Sequence, residues 1–239
     1  MKFREQAPGM AACLIAAMIM APIFFLKAPW PVQLRDRYEA HTIEETGARN
    51  VVSAIYLGYR AFDTLGEAIV LFIAVLGTLH VMQQSSSNSK AELARWNQSR
   101  NASNGSTVRF ITGKVGPIIL VFGFNVMTFG YSSPGGGFQG GAVLASGIIF
   151  IALGYIRTKR TALKQMKDLH HIEVVSFVLL IAAFFSGIVV GTGFLANPFS
   201  HDDIQPVVFI TLLNIIVGIK VGASIGLLAI AMYAGDIHE

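Results

Sequence analysis

Four stretches of this chain contain no Asp, Glu, Lys or Arg: Gln6 to Leu26, Ala68 to Ser89, Val115 to Ile156 and Val174 to His201. A run of about 20 apolar residues is long enough, as a helix, to cross the bilayer core of about 30 Å. Only 13% of the residues are charged, against about 25% in soluble domains. The fold class expected is therefore an all-α integral membrane protein with about six transmembrane helices. The spans are placed at Met10–Leu26, Thr64–Met82, Gly113–Phe129, Phe138–Ile156, Ile172–Gly191 and Pro206–Tyr233. Lys2 and Arg4 ahead of the first run give it the look of a signal peptide, but its length favours a span. The single cysteine, Cys13, excludes an internal disulfide or a cysteine-built metal site.

Lys and Arg collect on the side of the N-terminus (Lys2, Arg4), the loop with Lys90, Arg95, Arg100 and Arg109, and the loop from Arg157 to Lys167. The positive-inside tendency then puts both termini in the cytoplasm. The same bias explains the sequence pI near 9.3 without a nucleic-acid partner. The stretch "QQSSSNSKAELARWNQSRNASNGST" loses apolar periodicity and reads as a flexible connection. Its three Asn-x-Ser triplets are discounted as glycosylation sites because the loop is expected to be cytoplasmic. It divides the chain into a two-span region (1–84), a Ser/Asn-rich linker (85–107) and a four-span domain (108–239).

Small residues recur at spacings that let helices approach closely in lipid: Gly137, Gly141 and Ala145; Gly187 and Gly191; Asn214, Gly218, Gly222 and Gly226; and Gly116, Gly123 and Gly130, seven apart. Between spans three and four lies "TFGYSSPGGGFQGGAVLASG". No strand precedes it, so it is not a dinucleotide fingerprint. Pro134 is expected to end one helix, Gly135 and Gly136 to permit a reversal, and Gly137 and Gly141 to open a packing face.

Several polar residues stand out. Lys220 sits near the middle of span six, where a lysine costs about 2.5–3.5 kcal/mol to insert. It lies opposite the row Gly218, Gly222, Gly226, so its ammonium must face water, an acid or another protein chain. No acid of the four-span half is expected at its depth, so a partner carboxylate on another chain stands among these alternatives. In "YRAFDTLGEAIVLF", Arg60, Asp63 and Glu67 gather at the start of span two. Thr64 and Glu67 fit a capping box, and Glu67 at the lipid boundary equally fits a proton or cation ligand. His170, His171 and Glu173 lie at the mouth of span five, where a titrating histidine has a carboxylate nearby; the spacing does not form a three-ligand metal face. His201, Asp202 and Asp203 form a polar loop. The sequence contains no nucleophile, Walker, haem or metal motif, and so no active site, bound metal or tightly bound cofactor is expected.

The run Pro134, Gly135, Gly136, Gly137, Phe138, Gln139, Gly140, Gly141 closely resembles the hallmark of the MnhB (MrpB) subunits of Mrp-type multisubunit Na+/H+ antiporters, where it joins two transmembrane helices. The resemblance extends from Val108 to Glu239. Residues 50–77 resemble a segment near the C-terminus of the large MnhA-type antiporter subunit. In membrane-bound hydrogenases and related respiratory complexes that segment is a separate small protein, MbhE. The chain thus resembles a fusion of two small subunits. Within Arg-x-Phe-Asp-Thr-x-Gly-Glu the resemblance implies an ion-path role for Glu67, with Asp63 and Arg60 as neighbours. It departs from the antiporter MnhB pattern at Tyr131, at Asn214 (where Asp is usual) and at Lys220. The Gly-Ile-Lys-Val pattern is more similar to the hydrogenase-type counterpart.

The resemblance implies a non-enzymatic accessory subunit of a complex in a prokaryotic cell (inner) membrane. Other membrane subunits and lipid are its partners, and H+ or Na+ is transported. A redox-linked complex is favoured; a free-standing antiporter and a purely structural scaffold are the alternatives. Lys220 would tune a neighbouring carboxylate.

Overall fold

The structure, a computed structural model, describes residues 32–85, 106–156, 159–199 and 205–235, with Leu14, Ala17, Met18 and Ala21. Cys13 and most of the expected first span, most of the linker, and His201, Asp202 and Asp203 lie outside the described residues. The chain divides into two compact units, Met1–Arg37 and Tyr38–Glu239. Among the described residues, five helices are long and apolar enough to cross a membrane, and they belong to the second: Ala61–Met82, Thr107–Thr128, Gly137–Tyr155, Thr161–Val190 and Val207–Tyr233. Among the described residues there is no strand. The chain is an all-α, multi-pass membrane protein.

Helix α1, Val32–Thr46, stops at Gly47, whose φ of 70° takes the chain out of the helix. Asn50 then caps α2, Val51–Ala54, by accepting from the N–H groups of Val52 and Ser53, the usual role of Asn at a helix start. A π-helical turn, Ile55–Tyr59, follows, and Arg60 leaves helical geometry before α3, Ala61–Ser85. Thr64 is therefore inside α3 and not at its cap. Its hydroxyl donates to the Tyr56 carbonyl, so the capping-box reading fails: the helix begins a turn earlier than the apolar pattern, because Ala61 and Phe62 continue it.

Helix α4 is Ser106–Thr128 and α5 is Gly137–Tyr155. Two expectations for the turn between them need correction or refinement. Pro134 does not end α4, which has already stopped at Thr128; the Phe129 carbonyl closes the turn by accepting from Ser132 and Ser133. Gly135 and Gly136 do make the reversal, at φ of 142° and 146°, a region that side-chain-bearing residues rarely enter.

Helix α6, Lys159–Val190, has 32 residues, about 48 Å at the α-helical rise. It starts well before the expected Ile172, because its first turns are polar helix formers and the apolar window sees only the part that crosses lipid. At its far end Gly191 has φ of 88° and open space around it, while Gly187 presses on the following loop at the Gly193 carbonyl. These two glycines terminate the helix and do not form an interhelix packing face as expected.

Helix α7, Val207–Gly235, is the most buried of the five spans and packs on α3, α4, α5 and α6. Its contact with α5 is made by small residues: a Cβ on Gly141 would stand 2.7 Å from the Gly218 carbonyl oxygen and 2.7 Å from Val221 Cβ. Gly218 and Gly222 turn the same way, toward Met127 and Leu144. Around α7 the apolar core falls into two clusters. One joins Leu57, Ala68, Leu180, Phe184, Leu213, Val217 and Val221; the other joins Val75, Ala152, Leu169, Ala223, Leu227 and Ile230. The two meet at Leu71 of α3.

Candidate ion-handling site around the last helix

Three polar side chains of α7, Asn214, Lys220 and Ser224, are fully buried. A buried polar group without a partner is destabilising in an apolar setting, and each of the three has one.

Asn214 ties together the two regions on either side of the linker. Its Oδ1 accepts from the Tyr56 hydroxyl at 2.6 Å and from the Gly137 N–H at 2.7 Å. Its Nδ2 donates to Ser53 Oγ at 3.0 Å. Asn50 holds the same turn from the other side: its Nδ2 donates to the carbonyls of Gly130 and Ser133 at 2.8 and 2.9 Å, and its N–H donates to the Tyr131 carbonyl. The glycine-rich turn is thus gripped by α2 and α7. Gly136 must lack a side chain there, since a Cβ would sit 2.0 Å from the Tyr56 hydroxyl. Of the remaining motif residues, Phe138 packs against the first apolar cluster, Gly140 faces Gly123 and Met127 of α4, and Gln139 and Pro134 are exposed.

Lys220 and Ser224, one turn apart, point away from the glycine row, toward α3 and α6. The Lys220 ammonium donates to the Ala68 carbonyl at 2.9 Å. Ser224 Oγ donates to Glu173 Oε1 at 2.5 Å, and Glu173 lies within electrostatic reach of Lys220. Glu173 is 0% exposed. Two expectations are overturned: Glu173 is not a surface residue at the mouth of a span, and Lys220 does not need another chain for an acid at its depth. The reason is the early start of α6, which carries Glu173 inward as a residue of the helix interface. Nδ1 of His170 stands 3.8 Å from Glu173 Oε2, with the imidazole 45% exposed. His171 points elsewhere, its Nδ1 at 2.7 Å from the Lys167 carbonyl.

These groups form a polar seam between the two apolar clusters. Leu169 of the second cluster precedes Glu173 and Leu180 of the first follows it; Val221 of the first and Ala223 of the second lie between Lys220 and Ser224. The neighbouring rings of Phe72 and Phe177 stack at 5.3 Å and close the seam on the α3 side.

Glu67 is adjacent to Ala68 in the chain but on the other face of α3. Asp63, Glu67, Val70, Ala74, Thr78 and Val81 are all exposed and recur at helical spacing, so this face is not covered by the described helices. Asp63 pairs with Arg60 at 2.5 Å, both side chains largely exposed. Among the described residues Glu67 has no hydrogen-bond or ion-pair partner, and no group of three His, Cys, Asp or Glu is arranged to hold a metal.

Sequence reasoning did not single out Asn50, Ser53 and Tyr56. The signal for Asn50 was present, an Asn directly before an apolar helical run. Nothing local marked Tyr56, whose partner is 158 positions away.

A family model described as a domain related to the MnhB subunit of Na+/H+ antiporters matches residues 107–227. A second, for the MbhE subunit of MBH, matches residues 4–95. An uncharacterized protein of Methanocaldococcus jannaschii is 28% identical over 202 residues, 74% of each chain. The B-type subunit of the Na+/H+ antiporter of Alkalihalophilus pseudofirmus is 33% identical over 104 residues, 43% of this chain and 70% of that one. In the structure of the membrane-bound sulfane sulfur reductase, an archaeal respiratory membrane complex, one chain superposes with a TM-score of 0.66 at 24% identity, covering 95% of this chain and 97% of that one. That likeness establishes a shared fold.

Proposed function

We propose a function from one premise: the chain belongs to the family of domains related to the MnhB subunit of Na+/H+ antiporters. It is a non-catalytic accessory subunit of a multisubunit, cation-translocating complex in a prokaryotic cell membrane, with both termini in the cytoplasm. Its partners are other membrane subunits and lipid, and it holds no tightly bound cofactor. Glu67 is a protonatable or Na+-binding station on the path of the transported ion. A Na+ at that station would be held by carboxylate and carbonyl oxygens, the ligands that hard cations prefer.

One observation supports this most. Glu67 stands on an exposed face of α3, beside apolar residues of a membrane-crossing helix. A carboxylate facing lipid there is costly, whereas the same carboxylate at a junction with another protein chain is solvated by the partner and placed where an ion can pass. The redox-linked branch is supported by the end-to-end likeness of fold to a chain of a respiratory membrane complex. The relation to a B-type antiporter subunit supports the free-standing antiporter as the second reading.

The test is Glu67→Gln in the assembled complex. Ion transport into vesicles is expected to be lost while the subunits still copurify. Normal transport would defeat the ion-path role and leave a scaffold. Copurification of iron–sulfur or hydrogenase-like subunits in mild detergent would separate the redox-linked branch from the antiporter.

A further inference from the structure

Two atoms in the polar seam have no hydrogen-bond partner, and they face each other. Glu173 Oε2 and His170 Nδ1 are both buried and unbonded, 3.8 Å apart. The rest of each group is anchored or open to the outside. Glu173 Oε1 is held by the Ser224 hydroxyl at 2.5 Å, whereas the His170 side chain is 45% exposed. Beyond Glu173, toward the middle of the bundle, lies Lys220 on the Ala68 carbonyl. The other titratable groups near α6 point away: Lys167, Asp168 and His171 are exposed. From α3 the neighbours are Leu71, Phe72 and Val75. From α7 they are Lys220 and Ser224, with Tyr233 packed on the cluster that holds Leu169, and α5 contributes no charged residue.

A buried carboxylate oxygen that lacks a donor, opposite the buried, unbonded nitrogen of an imidazole whose ring is otherwise half-exposed, is an arrangement for passing a proton. Histidine is the side chain whose ordinary titration falls near neutrality, and its exposed edge can exchange with water. We propose that Glu173 is a proton-loading site of this protein, filled through His170 from the membrane face that carries Lys164 and Lys167. In the loading step the Nδ1–H bond of the His170 imidazolium breaks and an O–H bond forms on Glu173 Oε2. The imidazole is left neutral with its remaining proton on Nε2; when the ring turns so that Nδ1 reaches the exposed side, Nδ1 takes a proton from hydronium, which leaves as water. Rotation of the ring closes the gap of about 1 Å between 3.8 Å and hydrogen-bond distance. Loading neutralises the carboxylate within reach of Lys220, whose ammonium is bonded to the backbone beside Glu67. Only this last link, from Lys220 toward Glu67, rests on the ion-path reading above.

Infrared difference spectra of the assembled complex in liposomes, taken between acid and alkaline buffer, test the proposal. The wild-type complex is expected to show a carboxylic C=O band on the acid side that is absent in Glu173→Gln. The band should shift in Ser224→Ala, because that hydroxyl bonds the same carboxyl group. After a pH jump it should grow about 100-fold more slowly in His170→Phe, the usual scale for losing a positioned proton-transfer group. A wild-type spectrum identical to that of Glu173→Gln overturns the proposal, as does an unchanged rate in His170→Phe. Should Glu173→Gln fail to assemble, the Ser224→Ala comparison decides: no shifted band overturns it. Glu67→Gln separates the two claims, since retained transport in that variant defeats the ion path while leaving the Glu173 band in place.

Discussion

Replacing Asn214 by Leu tests whether the glycine-rich turn is held by hydrogen bonds or only by close packing. The side chains are similar in size, so the change mainly removes three bonds: from the Tyr56 hydroxyl, from the Gly137 N–H, and to Ser53 Oγ. Side-chain hydrogen bonds measured inside membrane proteins average about 0.6 kcal/mol, which sets a floor near 2 kcal/mol for three. Two donors are also left stranded, at about 1–3 kcal/mol each, which raises the ceiling to about 8 kcal/mol. The assay is unfolding of the full chain in mixed micelles by titrated SDS, followed by far-ultraviolet circular dichroism. A double-mutant cycle with Tyr56→Phe isolates one bond, and its coupling should lie between about 0.6 and 1.7 kcal/mol. A loss below about 1 kcal/mol for Asn214→Leu, with no coupling to Tyr56, would refute the reasoning and leave packing alone to hold the turn.

Gly141→Ala should destabilise the bundle by about 1–3 kcal/mol through overpacking, because its Cβ meets the Gly218 carbonyl and Val221. Gly77→Ala, with nothing within 4 Å, should instead stabilise the isolated chain by about 0.5–1 kcal/mol; the same titration reads both. Lys220→Met removes the ammonium's bond to the Ala68 carbonyl and the positive charge within reach of Glu173; it should lower stability by about 1.5–3 kcal/mol, with Lys220→Met/Glu173→Gln recovering part of the loss. A double variant no better than the single would show that the two charges do not sense each other. Gly191→Ala should lower stability by about 1 kcal/mol, since it puts a side chain at φ of 88°.

The spans were legible because lipid leaves a simple mark, a run without charge. Helix ends were less so: α6 continues for more than a dozen residues of polar helix formers before its apolar run, and nothing in hydropathy distinguishes those residues from a loop. The same blind spot hid Glu173, which looked like the rim of a span and is a residue of its packed interface. Lys220 was conspicuous from sequence, and its direction, opposite the glycine row, followed from helical periodicity. Its partner did not, because a backbone carbonyl has no signature and Ala68 is 152 positions away. Asn214 was noticed as a family departure, but its role as the tie to Tyr56 and Gly137 depends on three segments meeting in space.

The division of the apolar core by the polar seam bears on how the sequence can drift. Leu213 belongs to one cluster and Ile230 to the other, about 25 Å apart along one helix, with a layer of directional bonds between them. Interdigitated side chains transmit a change in shape to their neighbours, but this layer interrupts that continuity everywhere except at Leu71. Leu213→Val and Ile230→Val should therefore add within about 0.5 kcal/mol. Each end of the bundle can be re-tailored to a different neighbouring protein without compensating change at the other, while the residues of the seam itself must change together or not at all.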